Sequence, residues 1–218
     1  QGTSSDISKA LSGIVGYDGT LTLTNASGTE MEAKDITTIS DASSAAMTIS
    51  KKIIVKGKVD DVITAFGKFT NAGGVNVKLV DIHDLPKLKS INSSTSGTIT
   101  FFDKKVLLEG KTDDIAKALT GVTDYEGSIK LTDNHNLDDL KIINDATTGP
   151  ITLFDNTLKL SGAASVINSA LDGIAYKGTL ELTDNGADKL TSTLINQLIA
   201  KTDATKVVIK NNPTIKGS

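Results

Sequence analysis

The chain has 218 residues, of which 38% are hydrophobic, and its 23 basic and 26 acidic side chains leave a net charge of −3. Every basic residue is lysine, and cysteine is absent. The near-neutral charge and the absence of arginine argue against a nucleic-acid partner, because proteins that bind nucleic acids carry a basic surface and commonly read bases with the arginine guanidinium. Without cysteine there is no disulfide framework and no thiolate zinc site. The apolar runs are far shorter than the ~20 residues that cross a bilayer, so we expect no membrane span.

An internal repeat organises the whole sequence. Four amphipathic segments begin near Ile7, Val62, Ile115 and Ile167, and each carries an alanine three positions later. Apolar residues at three-to-four spacing predict a short helix in each segment. The alanines recur at a nearly constant interval, which divides the chain into four units of roughly 53 residues in one continuous array. These units are 1–57, 58–110, 111–162 and 163–218.

Each helix is followed by an alternating run, which predicts a strand with one apolar face. These runs are Thr20–Thr24, Val75–Leu79, Ser128–Thr132 and Thr179–Thr183. A second one-faced helix comes next, with apolar pairs such as Ile36 and Ile39 or Leu140 and Ile143. Further short strands and a glycine (Gly57, Gly110, Gly162) close the units.

None of the units has enough apolar residues to bury both of its faces, so neighbouring units must cover one another. The sequence therefore predicts an α/β fold, a solenoid of parallel strands with short outer helices. Tandem small β-rich modules are the alternative, which the lack of linkers disfavours. We expect Asp60, Asp61, Thr112 and Asp113 to cap the first helices, and the Asn or Asp after each strand to bond amides of its own turn.

The sequence resembles a known class of repeats over all four units, although the first unit has Ala45 and Ala46 where the others carry glycine and the fourth has a longer second helix. The segments Leu158–Asp184 and Ile142–Gly149 are similar to repeats of very large bacterial extracellular proteins: surface-layer, motility and adhesin-like proteins, notably of cyanobacteria, with an RTX or cadherin-like repeat texture. The resemblance implies a structural or adhesive role at the cell surface, and it transfers no site residues.

Oxygen ligands for calcium cluster in two kinds of turn. Asp133, Asn134, Asn136 and Asp138 alternate as loop ligands do, although no glycine turn or distal glutamate completes an EF-hand. Asp103 and Asp155 occupy equivalent turns, where stacked carboxylates could share a cation. Turn and cap chemistry is the preferred interpretation of all six residues, with calcium as a weak alternative and no other cofactor.

No catalytic constellation is recognisable. His83 and His135 occupy corresponding places in two units, which we interpret as a repeated surface position. Tyr17, Tyr125 and Tyr176 also correspond; we expect them to pack under a loop rather than to present a ladder for sugars.

We therefore predict a non-catalytic structural or adhesive repeat scaffold in a secreted or cell-surface bacterial protein. Its partners would be neighbouring repeats, identical subunits or cell-surface glycans. A carbohydrate-binding or carbohydrate-active solenoid and an ice-binding solenoid are the alternatives; the ice-binding one rests on threonine rows and is weakened by Lys78 and Glu181. We expect the amino-terminal end to be the interaction surface, because Lys206, Lys210, Pro213 and Lys216 would blunt strand addition at the carboxyl end.

Overall fold

The computed structural model describes residues 1–19, 21–44, 53–69, 73–185 and 190–217. These residues form an α/β structure with eight helices and twelve short strands. The chain divides into two compact units, the first unit Gln1–Val106 and the second unit Leu107–Ser218, which are different from the four repeats predicted from the sequence. All the strand pairs described are parallel.

The first unit contains four helices and one four-stranded sheet, in which the strands follow chain order. The helices are α1 (Ser4–Leu11), α2 (Ala33–Ala42), α3 (Val59–Phe66) and α4 (Leu85–Ser94). The strands are β1 (Glu30–Glu32), β2 (Ile54–Gly57), β3 (Asn76–Leu79) and β4 (Ile99–Thr100). Within this unit, α1 packs against α2, α2 against α3 and α3 against α4.

The second unit repeats this plan in three smaller sheets, ordered β5-β6-β7, β8-β9-β11 and β10-β12. Its helices are α5 (Thr112–Leu119), α6 (Leu137–Ala146), α7 (Ala164–Ala170) and α8 (Ser192–Lys201). Its strands are β5 (Leu108–Gly110), β6 (Ile129–Leu131), β7 (Ile151–Thr152), β8 (Leu160–Gly162), β9 (Leu180–Leu182), β10 (Leu190–Thr191), β11 (Val207–Ile209) and β12 (Ile215–Lys216). Here too, successive helices pack together.

The strand register explains the length of the sequence repeat. Ile54 pairs with Asn76, and Leu108 pairs with Ile129, so the chain returns to the sheet after one strand and one helix. We call one strand together with the helix that follows it a strand–helix turn, and two such turns make up one sequence repeat. The predicted second helices are confirmed as α2, α4, α6 and α8, and the predicted first helices begin three positions earlier than their apolar signature.

Three of the four predicted alternating strands are confirmed as β3, β6 and β9. Their inward leucines, Leu79, Leu131 and Leu182, are buried. In the first run Thr20 lies outside the described residues, and Leu23, which is only half-buried, forms an isolated bridge to Gly2. The apolar faces of strands and helices meet in the core of each unit, as the alternation predicts.

In two of the repeats, a buried threonine ties the second turn to the strand segment before it. The Thr95 hydroxyl donates to the Val75 carbonyl at 2.6 Å, and Thr147 donates to the Tyr125 carbonyl at 2.8 Å. The same two hydroxyls accept from the amides of Gly97 and Gly149. A Cβ on either glycine would collide with backbone carbonyls of the preceding turn, so this close approach requires glycine.

Leu131→Ala should lower the free energy of unfolding by about 2 to 5 kcal/mol, because Leu131 is 2% exposed and its removal leaves a cavity. Leu107→Ala is the control, since Leu107 is 53% exposed and its truncation should change stability by no more than about 0.5 kcal/mol. Urea unfolding measures both. Equal midpoints for the two variants would show that Leu131 does not pack in the core.

Candidate functional site

The calcium candidate Asp133 caps a helix of the preceding turn. Its Oδ1 accepts hydrogen bonds from the Thr112 amide at 2.8 Å and from the Thr112 hydroxyl at 2.9 Å. Thr112 is the first residue of α5, whose N-terminal amides have no partner within the helix. The Asp133 carboxylate therefore pairs with the first amide of α5, although Asp133 follows β6, the next strand along the chain.

The same remote cap occurs four times. Asn25 accepts from the amide of Ser4 at 2.9 Å, Asp81 from that of Val59 at 2.8 Å, and Asp184 from that of Ala164 at 3.0 Å. In each case the cap lies just beyond a strand segment, and the helix belongs to the turn before it. We call Asn25, Asp81, Asp133 and Asp184 the cap row.

The cap row corrects two expectations. Asp60, Asp61 and Asp113 lie inside the first turns of their helices, and neither α3 nor α5 has a side-chain cap from the residue before it. The residues of the cap row bond amides of the preceding turn rather than their own. The capping residue follows a strand that pairs with the strand before the helix. Because the helix begins directly after its own strand, the side-chain oxygen at the end of the paired strand lies within reach of the first helix amide.

The remaining candidates near Asp133 serve α6 or face solvent. Asn136 is the local N-cap of α6: its side chain accepts from the Asp139 amide at 2.9 Å and donates to the Asp139 carboxylate at 2.7 Å. Asn134 and Asp138 are exposed. The four residues therefore do not converge on one point.

The two turn aspartates form local hydrogen bonds. Asp103 accepts from the Lys105 amide at 2.8 Å, and Asp155 accepts from the amide and hydroxyl of Thr157 at 2.8 and 2.6 Å. The bonds from the Thr157 hydroxyl and amide lower the pKa of Asp155. No group of three or more histidine, aspartate or glutamate side chains within the described residues could hold a metal ion. A calcium site stays a prediction from the sequence.

The two histidines are buried, so the expectation of a surface position is wrong. His83 lies against Phe101 in the first unit, with the ring centroids 5.0 Å apart. His135 packs against Tyr176 in the second unit, and its Nε2 lies 3.0 Å from the Tyr176 hydroxyl oxygen. Tyr125 and Tyr176 are buried and Tyr17 is half-buried, so the packing role of the tyrosines is confirmed.

The hydrogen bonds of Tyr176 fix the state of His135. The Tyr176 hydroxyl donates its one proton to the Leu158 carbonyl at 2.9 Å, so its oxygen accepts from His135 and Nε2 carries the proton. Nδ1 of His135 is buried and has no hydrogen-bond partner in the part of the chain that the structure describes. Burial lowers the pKa of both histidines, and the nearby charges of Asp103 and Asp155 only partly oppose this effect. Burial also raises the pKa of the Tyr176 hydroxyl.

The exposed face of the strands carries a ladder of opposite charges. In the first unit Lys56 lies 3.3 Å from Glu30 and 3.2 Å from Glu32, and Lys78 lies 2.5 Å from Glu30. Hydrogen bonds from Lys78 and Lys56 lower the pKa of Glu30. In the second unit Lys130 pairs with Glu109 at 2.8 Å. These carboxylates are held by lysines of neighbouring strands rather than facing each other across a cleft.

One polar cleft of about 580 Å³ lies in the second unit, between the ends of α6 and α7. Its polar groups bond one another: Asn144 donates to the carbonyls of Ser169 and Asp172, and the Ser169 hydroxyl donates to Asp145. The cleft therefore joins two turns through its own side chains.

Two aromatic side chains are exposed at equivalent places of two repeats: Phe102 and Phe154 are each 63% exposed.

Comparisons of the chain with protein-family models, with curated proteins and with solved structures find no match. The resemblance to bacterial surface repeats thus stays a prediction. None of the helices in the described segments has the length and apolar character needed to cross a membrane.

Asp133→Ala should lower the free energy of unfolding by about 1 to 2 kcal/mol, because it leaves the first amide of α5 without its acceptor. Asp133→Asn is the matched control, since it keeps an acceptor oxygen and Asn25 already fills the same place in the first unit. Urea unfolding in the presence of a chelator compares the two. Equal losses in both variants would contradict the cap, because they would point to the charge rather than to the hydrogen bond.

Acid should destabilise the protein as the two buried histidines titrate. Their folded pKa is below the value of about 6.5 in the unfolded chain, so the unfolded state binds more protons and stability falls as pH drops below that value. Between about pH 7.5 and 5.5, the loss should be smaller in His135→Gln and smallest in His83→Gln/His135→Gln, because carboxylates hardly titrate there. Urea midpoints at the two pH values test this. An undiminished loss in the double variant would assign the effect to other groups.

Proposed function

We propose that this chain is a non-catalytic scaffold: a solenoid of four repeats, each of two strand–helix turns, in a secreted or cell-surface bacterial protein. The cap row is the observation that carries the proposal. Each member of the cap row accepts a hydrogen bond from the first amide of the helix in the preceding strand–helix turn. Each of these four helices therefore needs a side chain from the next strand–helix turn to complete its hydrogen bonding. Dependence of each unit on the adjacent one is characteristic of repeat proteins.

The chemistry of the described side chains supports a structural role. The aspartates of the cap row are engaged by helix amides, and the glutamates on the strand face are engaged by lysines. Hydrolysis of glycosides would instead need two carboxyl groups that face each other across a substrate site. The charged ladder also differs from the threonine rows on which the ice-binding alternative rests.

An extracellular setting is supported by the resemblance of Leu158–Asp184 to bacterial surface repeats. An adhesive function has a specific observation in its favour. Phe102 and Phe154 are exposed at the same place in two repeats, and aromatic rings are enriched at binding surfaces.

Calorimetry on the full chain distinguishes a solenoid from tandem modules. Ile91 is buried in α4 of the first unit, so Ile91→Ala should cost a few kcal/mol and lower the melting temperature by ~5 °C or more. A solenoid predicts one transition that shifts as a whole. Ile82→Ala is the control because Ile82 is 63% exposed. Two transitions, only one of which moves, would support independent modules.

Labelling of cells that make the protein tests the setting and the role. Antibody against the chain should bind intact cells, and external protease should remove the signal. A signal that needs permeabilised cells would contradict a surface scaffold. A melting temperature that rises with added polysaccharide, and does not rise in Phe154→Ala, would favour the carbohydrate-binding alternative.

A further inference from the structure

Two phenylalanines differ from the other aromatic residues of the chain in their exposure to solvent. Phe102 and Phe154 are each 63% exposed, whereas the remaining phenylalanines and tyrosines are buried or half-buried. Both follow the same pattern, an Ile-Thr pair, one further apolar residue and then the exposed ring. A single exposed apolar side chain needs no explanation, but the recurrence of an exposed ring at the same place in two repeats does.

The strand alternation places both rings on the outer face of their sheets. Phe102 lies two residues beyond Thr100 of β4, and Phe154 lies two residues beyond Thr152 of β7. Residues two apart along a strand point to the same side. Both threonines are exposed, whereas Phe101, between Thr100 and Phe102, is buried, so the alternation continues past the end of β4. Each ring therefore extends a row of outward side chains.

The neighbouring strand of each sheet places a lysine beside the threonine. Lys78 of β3 pairs in register with Thr100, and Lys130 of β6 pairs in register with Thr152. An ammonium group, a hydroxyl group and an aromatic ring thus follow one another on the outer face in both units.

Each of these lysines forms an ion pair with a glutamate of the same sheet. Lys78 lies 2.5 Å from Glu30, and Lys130 lies 2.8 Å from Glu109. All four side chains are partly exposed, and ion pairs of this kind contribute little to stability. We call Glu30, Lys78, Thr100 and Phe102 the first platform, and Glu109, Lys130, Thr152 and Phe154 the second platform.

We propose that each platform binds a neutral polysaccharide chain of β-linked sugars, with one sugar ring stacked on the phenylalanine. A neutral sugar has an apolar C–H face, which packs against an aromatic ring, and a rim of hydroxyl groups, which donate and accept hydrogen bonds. The lysine donates to these hydroxyls, the glutamate accepts from them and the threonine does either. The proposal rests on the proposed function, because it gives the adhesive role a ligand and a site.

The charges of the two platforms favour a neutral ligand. Each platform has one lysine and one glutamate, and in the first unit Lys56 and Glu32 add a further balanced pair, 3.2 Å apart. A nucleic acid or an anionic lipid surface would instead be attracted by an excess of basic side chains. The turns that follow the rings differ in charge, since residues 103–105 are Asp-Lys-Lys and residues 155–157 are Asp-Asn-Thr. The shared features are therefore the ring and the balanced polar groups.

The size of the apolar surface also argues for a sugar rather than for a second copy of the chain. One phenylalanine side chain buries about 200 Å² at most, whereas a stable protein interface buries about 800 Å² on each partner. One aromatic ring is enough to cover the face of one sugar ring. Because each platform is an open face, it suits a chain whose sugar rings lie flat.

An NMR titration of the isotope-labelled full chain with cellohexaose, chitohexaose or mannohexaose tests the proposal. With at least one of the three sugars, amide signals of both platforms should shift and saturate in the range of about 1 to 10 mM, as expected for a small contact. Phe102→Ala should remove the shifts of the first platform and leave those of the second, and Phe154→Ala should do the reverse. Each unit is thus the control for the other.

Two further variants separate loss of the ring from loss of the fold. Phe154→Tyr keeps an aromatic ring and should retain binding within about twofold, whereas Phe154→Ala should weaken it at least about fivefold. Val15→Ala removes another apolar side chain, which is 85% exposed in the turn after α1, and should leave both platforms unchanged. The amide spectrum of each variant reports directly whether the chain is folded.

Four results would overturn the proposal. The first is the absence of shifts with all three sugars up to about 10 mM, and the second is shifts that persist in Phe102→Ala/Phe154→Ala. The third is binding of polygalacturonate alone, weakened by salt, which would assign an anionic ligand. The fourth is a mass that rises with protein concentration and falls in the double variant, which would assign a second copy. None of these results changes the calorimetric test of the solenoid or the labelling of intact cells, so failure of this proposal is distinguishable from failure of the scaffold.

Discussion

The fold depends on a hydrogen bond from the first amide of a helix to an Asn or Asp side chain about one turn of the chain later. A helix N-terminus carries unpartnered amides and a partial positive charge, so an oxygen placed there satisfies both. In this chain the oxygen comes from residues such as Asp133, at the end of the strand that pairs with the strand before the helix. One contact thus fixes a helix, the strand before it and the strand after it, and a single turn would lack its own cap.

This constraint explains why the sequence repeat spans two returns of the chain to the sheet rather than one. Helices α1, α3, α5 and α7 take a remote cap, to which α1 adds a local one from Thr3. Helices α4, α6 and α8 take a local cap from Asp84, Asn136 and Thr191, and α2 has no side-chain cap. From α3 onwards the two kinds of turn alternate, and only a pair of them restores the pattern. The surface charges lie outside this constraint, since exposed pairs of lysine and glutamate on the strand face contribute little to stability.

Periodic apolar residues were enough to predict the helices and the inward leucines of β3, β6 and β9. The remote caps were missed because the partners lie a whole strand–helix turn apart, and capping rules examine only neighbouring positions. The buried state of His83 and His135 was missed because their partners, Phe101 and Tyr176, come from later turns. The pairing of β12 could also have been found from the sequence, since residues 215–217 repeat the pattern of residues 55–57 and β12 pairs with β10 as β2 pairs with β1.

Amide hydrogen exchange by NMR at the first residue of each odd-numbered helix tests the cap row most directly. First-turn amides of helices lack intrahelical partners and ordinarily exchange fast. The account predicts that the amides of Ser4, Val59, Thr112 and Ala164 are protected to the same degree as the strands of their turns, because a side chain of the next turn holds each of them. Fast exchange at these four amides, with the neighbouring strands protected, would contradict the claim that each turn completes the one before it.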